Sequence, residues 1–208
     1  EKVFNYDMQI SLKSGLDENQ FQELVNKLDQ KEQITKIVKT YMATSTAVNG
    51  ELEEDVQIIV PEEKESLEGI INLKDVKTKE TITLNDNEIC LTDKAAELLK
   101  VKVGDTIKLK ESNGNEKEVK ISNIVENYIS HYVYMSKELY QTLYEKDYES
   151  NVLLTKNTDL SEEQEEKLAT DIMQENEVSS ISLTSTAITM MDDTMKSLNY
   201  VVVVLIVS

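Results

Sequence analysis

Two stretches of this chain, one near each end, couple a strand-period alternation or a β-branched run to a helix that opens on a capping box. Phe4-Asn5-Tyr6-Asp7-Met8-Gln9-Ile10-Ser11-Leu12 alternates apolar and polar side chains, the period of a half-buried strand. Ser14-Gly15 then turns the chain. Asp17 with Gln20 three residues on forms a capping box, Leu16 and Phe21 are placed as a hydrophobic staple, and Phe21, Leu24, Val25 and Leu28 recur at helical spacing. Near the other end, residues 151–155 read as a strand and Ser161 with Gln164 repeats the capping box. The very acidic helix that follows carries an apolar stripe of Leu160, Leu168, Ile172 and Met173, and Val178–Leu183 reads as the closing strand. The two ends share element order and no convincing sequence identity.

Between them the chain changes character. Residues 34–48 and the alternating Val56, Ile58 and Val60 read as strands joined across Asn49-Gly50, with Pro61 ending the second. Residues 62–68 read as a short acidic helix closing at Gly69. Short strands follow at 81–84, 88–91, 105–110 and 118–125, separated by Asn85-Asp86-Asn87 and Asn113-Gly114-Asn115. Thr92 can cap a helix through Ala95, Ala96, Leu98 and Leu99. After Tyr132-Val133-Tyr134, Ser136 can cap another carrying Leu139, Tyr140, Leu143 and Tyr144. The expected architecture is α+β. Residues 1–61 and 150–184 form the halves of a split ferredoxin-like, porter-like sandwich around an inserted β-rich subdomain at 62–149.

Ile188, Met191, Met195 and Leu198 stand at helical spacing in the last segment, 185–208, and the pattern runs without a breaker into Tyr200-Val201-Val202-Val203-Val204-Leu205-Ile206-Val207. Four valines and an isoleucine suit a core strand. The absence of Gly, Pro or Asn-Gly before the run suits the start of a membrane helix, with Tyr200 at the interface, although a full span needs about 20 residues.

Charge removes several classes of function. The chain has 40 acidic and 22 basic side chains, every basic one a Lys, for a net charge of −18. Such a surface repels nucleic acid and anionic membrane surfaces, and would draw cationic peptides in a salt-sensitive way. Five glycines, Gly15, Gly50, Gly69, Gly104 and Gly114, make neither a phosphate loop nor a dinucleotide fingerprint. The single Cys90 forms no internal disulfide and reads as a buried small hydrophobe. The single His131 has no Gly-x-Ser-x-Gly elbow to serve and reads as a rim residue. No calcium loop stands at 85–88. Asp192-Asp193 and Glu53-Glu54-Asp55 read as solvated faces, so no catalytic, cofactor-binding or metal-ligating residue is assigned. Tyrosine is the enriched aromatic. Of nine, Tyr128, Tyr132, Tyr134, Tyr140, Tyr144 and Tyr148 fall within twenty-one residues. Tyr128, Tyr132, Tyr134, Tyr140 and Tyr144 make a candidate interaction surface, the alternative being a rim of core tyrosines.

The segments Leu91-Thr92-Asp93-Lys94-Ala95-Ala96-Glu97-Leu98-Leu99-Lys100-Val101-Lys102-Val103-Gly104-Asp105-Thr106-Ile107, Asn123-Ile124-Val125-Glu126-Asn127-Tyr128 and His131-Tyr132-Val133-Tyr134-Met135-Ser136, followed by the apolar end of the chain, resemble in their order FtsX-like (MacB-type) ABC transporter permeases. The large kind found in low-GC Gram-positive bacteria is the nearest in character, and the all-Lys basic set agrees with it. The resemblance implies an extracytoplasmic, non-catalytic domain of a cell-membrane protein, tethered by membrane helices on both sides and needing no cofactor. It implies a separate cytoplasmic ABC ATPase as partner and an exported substrate (peptide, lipoprotein or drug, as in efflux) or an extracellular partner. Motion would be relayed through a coupling helix bearing Met191, Met195 and Leu198. A secreted or surface interaction protein and a carboxylate-based hydrolase are the alternative classes.

Overall fold

The computed structural model describes residues 3–127 and 130–185. In chain order its elements are β1 (Met8–Leu12), α1 (Glu18–Asp29), β2 (Ile34–Asn49), β3 (Leu52–Pro61), β4 (Ile89–Thr92), α2 (Asp93–Leu99) and β5 (Thr106–Lys110). They continue as β6 (Glu116–Val125), β7 (Tyr132–Tyr134), α3 (Lys137–Tyr144), β8 (Val152–Asn157), α4 (Glu162–Ile172) and β9 (Val178–Leu183). The described residues divide into two compact units, 6–37 with 154–185 and 3–5 with 38–153.

The first unit is the expected split sandwich. Its strand order β9-β1-β8-β2 interleaves the two β-α-β units, because β1 of the first lies between the two strands of the second. β1 and β9 are antiparallel, with Met8 opposite Leu183 and a bulge between Ser11 and Leu12. Both capping boxes form. The Gln20 N–H donates to the Asp17 carboxylate at 2.8 Å while the Asp17 N–H donates to Gln20 Oε1 at 3.0 Å. The Gln164 N–H donates to Ser161 Oγ at 3.3 Å and the Ser161 N–H to Gln164 Oε1 at 2.9 Å. Met8, Ile10, Leu24, Leu28 and Ile172 are fully buried, which is the apolar stripe that the helical and strand periods marked out.

The second unit is a closed barrel, which the sequence reading did not anticipate. β2 and β3 form an antiparallel hairpin across Gly50, whose φ of +63° suits glycine. β3 pairs in parallel with β7, β7 antiparallel with β4, β4 in parallel with β6, and β6 antiparallel with β5. β5 returns to β2 through Thr46, Ala47 and Val48, which closes a six-stranded ring and leaves it no free edge. Alternate residues fill its core: Val56, Ile58, Val60, Ile89, Leu91, Ile107, Leu109, Val119, Ile121 and Val133.

The ring is built twice from one pattern: a hairpin, a third strand, and a helix following it. β2-β3-β4-α2 is the first copy and β5-β6-β7-α3 the second. The parallel pairs β3–β7 and β6–β4 exchange places between copies, whereas β2–β5 and β4–β7 join like strands. Because β4 and β7 are antiparallel, the helices that follow them leave at opposite ends of the barrel, and each packs on β3 and β6.

Several expectations are corrected. The first strand begins at Met8, not Phe4. Phe4 belongs to the barrel unit, where it bridges Ile71 and meets Tyr132 edge-on at 5.2 Å. Asp7 marks the break by accepting the Asn157 N–H at 2.7 Å. The acidic helix at 62–68 is a single 3-10 turn, Lys64–Leu67. No strand forms at 81–84: Thr81 makes an isolated bridge to Lys74 because no continuous partner lies alongside. The two compact units divide inside β2 and β8, since barrel closure takes most of β2 and all of β3. Met191, Met195, Leu198 and the apolar run lie outside the described residues. No helix among the described residues is long and apolar enough to cross a membrane.

Candidate functional site

A cavity of about 110 Å³ opens at the α3 end of the barrel, walled by Tyr41, Ala43, Thr44 and Ser45 of β2, Ile58 of β3, Glu111 and Ser112 after β5, and Tyr140 and Tyr144 of α3. Local chemistry fixes each wall. Ser136 caps α3 by accepting the Leu139 N–H at 3.1 Å, and Tyr140 and Tyr144, four residues apart, then share one helix face. Asn151 holds β2 beside the cavity, accepting the Met42 N–H and donating to the Met42 carbonyl, both at 2.8 Å. The turn at Asn113-Gly114-Asn115 sets Glu111: the Glu111 N–H donates to the Asn115 carbonyl at 2.8 Å, and the Gly114 N–H donates to the Glu111 carbonyl at 2.9 Å.

The tyrosines form one packed cluster. Tyr140 sits 4.8 Å from Tyr41, 5.1 Å from Tyr144 and 6.3 Å edge-on from Tyr148, centroid to centroid. Tyr148 donates its hydroxyl to the Val60 carbonyl at 3.0 Å. The Tyr144 hydroxyl is buried and meets no hydrogen-bond partner among the described residues. Burial pushes the Tyr140, Tyr144 and Tyr148 phenols far up, so they stay neutral.

Glu111 is the charged residue among these walls. Lys146 Nζ lies 2.8 Å from its Oε1 and 5.9 Å from the centroid of the Tyr144 ring. The left-handed residue Glu145, φ +54°, ends α3 and turns the chain so that Lys146 can reach back. The Lys146 hydrogen bond holds the Glu111 carboxyl below the usual carboxylate range despite partial burial. The set combines aromatic rings, neutral hydroxyls and one carboxylate.

The five tyrosines singled out from the sequence do not make one exposed surface. Tyr134, Tyr140 and Tyr144 are core side chains, Tyr132 is half-buried, and Tyr128 lies outside the described residues. The helical spacing of Leu139, Tyr140, Leu143 and Tyr144 already marks a stripe that packs inward. Tyr41 and Glu111, which complete the cavity, carried no such signal: Glu111 is one of 40 acidic residues. Cys90 is buried beside Ser122, and desolvation raises its thiol to about 11, so it is an inert core residue. His131 is half-buried with Nδ1 3.5 Å from Glu54.

No protein-family model matches the chain, and no curated protein matches it by sequence. Among solved structures, the periplasmic region of MacB from Actinobacillus actinomycetemcomitans matches with a TM-score of 0.50 and 14% identity, covering 91% of this chain and 94% of that one. The chain has the fold of that MacB region. The extracellular domain of the noncanonic ABC-type transporter YknZ from Gram-positive bacteria matches at a TM-score of 0.49 and 12% identity, over 85% of this chain and 99% of that one. A domain of a putative permease from Porphyromonas gingivalis matches at 0.44 and 9%, over 86% and 90%.

Proposed function

We propose that this chain is the extracytoplasmic domain of an ABC transporter permease, non-catalytic, which couples the motion of a cytoplasmic ATPase to engagement of a substrate or partner outside the cell membrane. The observation that carries the reading is the extent of the MacB likeness, which takes in 91% of this chain and 94% of the MacB periplasmic region. The order of the three sequence segments, ending in an apolar run, supports it independently. The coupling route of this reading is the 185–207 segment with Met191, Met195 and Leu198, since a helix continuing into a bilayer transmits rotation.

Fractionation of source cells with an antibody against this domain tests the proposal. The expected result is a band far heavier than 23.7 kDa that needs detergent for extraction and is cleaved by protease added outside intact spheroplasts. A freely soluble band near 23.7 kDa would overturn it in favour of a secreted interaction protein.

A further inference from the structure

We propose that the cavity at the α3 end of the barrel is a receptor for a primary alkylammonium group, and that Lys146 competes with that group for the Glu111 carboxylate at its wall. This inference goes beyond the transporter reading and stands on the barrel alone. Drug-sized ligands fill sites of about 300 to 1,000 Å³, so a cavity of about 110 Å³ takes one small group of a ligand. Its chemistry selects the sign of that group. The rings of Tyr41, Tyr140 and Tyr144 line the cavity and Glu111 is the ionised side chain among its walls, which favours a cation over an anion. Burial keeps the phenols neutral.

The molecule itself shows what these groups recognise. Lys146 is a primary ammonium on an alkyl stem. It rests on the Glu111 carboxylate at 2.8 Å and near the Tyr144 ring at 5.9 Å, while its side chain is still 53% exposed. A pair so exposed is weak and opens often. When Lys146 swings into solvent, it frees the Glu111 carboxylate at the wall of a cavity that Tyr41, Tyr140 and Tyr144 also line.

Calorimetric titration of the 208-residue chain tests this, with n-butylammonium chloride as the probe and n-butanol as its uncharged match. Butylammonium binds and butanol does not. Lys146→Met keeps the alkyl stem and removes the competing charge, and it tightens butylammonium by about fivefold, the reciprocal of the fraction of time an exposed pair leaves the site open. Glu111→Gln in the Lys146→Met background abolishes binding. Neither position lies in a helix or strand, and an unchanged circular dichroism spectrum and thermal transition establish that the variants are folded. A blocked Ala-Lys-Ala peptide separates the sources of the group: binding at least as tight as butylammonium identifies a lysyl side chain, and binding of the free amine alone identifies a small amine. Equal binding of butanol, or no tightening in Lys146→Met, overturns the proposal.

Discussion

α2 and α3 hold equivalent places in the two copies that build the barrel, yet they close its ends differently. α2 buries Ala95, Ala96 and Leu99, small and aliphatic side chains that let the helix sit close on β3 and β6. α3 buries Leu139, Tyr140 and Tyr144. Rigid rings four residues apart cannot interdigitate as alanines do, and the space they leave against β2 is the cavity. The comparison teaches that a repeated supersecondary unit fixes the scaffold, while the side chains of one helix decide how its end of the barrel is packed.

Enlarging a side chain at each end is the strongest way to break that comparison. Ala95 is fully buried, so Ala95→Leu should overpack the α2 end and cost about 2 kcal/mol in urea unfolding. Ala43 lines the cavity, so Ala43→Val should stay within about 0.5 kcal/mol of the parent or stabilise it. Equal costs at the two positions would show that the ends are packed alike. A smaller effect sharpens the picture at one atom. Tyr144→Phe removes a buried hydroxyl that no described group partners, and should be neutral or stabilising by up to about 1 kcal/mol in the same assay. The smallest effect is electrostatic. The Glu111 carboxyl is lowered in the folded chain by Lys146, so its contribution to stability is present above the ordinary Glu range and is lost as pH falls through the lowered value. Glu111→Gln should therefore cost a few tenths of a kcal/mol, about 0.5, at pH 7 and nothing by about pH 2.

The two units also differ in how far they could be read from the chain alone. The sandwich is governed by local signals: alternation in β1, the Asp17–Gln20 and Ser161–Gln164 capping boxes, and the stripe from Leu24 to Leu28, each satisfied by neighbours in sequence. The barrel depends on the parallel pairs of Ile58 with Val133 and of Leu91 with Ile124, which join distant segments and leave no periodic mark in either. Its strands were mostly legible, and its closure was not. The candidate site follows the same division. Tyr140 and Tyr144 are legible as a helical pair, and the structure buries both. Tyr41 and Glu111 join them only because β2 and the β5–β6 hairpin close the ring.

Alanine methyl resonances report both ends of the barrel in one spectrum, since Ala43 lines the cavity and Ala95 and Ala96 are the buried alanines of α2. Titrating n-butylammonium into the alanine-methyl-labelled, 208-residue chain should move the Ala43 signal saturably and leave Ala95 and Ala96 in place. A still Ala43 signal, or shifts of equal size at all three, would contradict the account that the α3 end of a doubled barrel receives a cation.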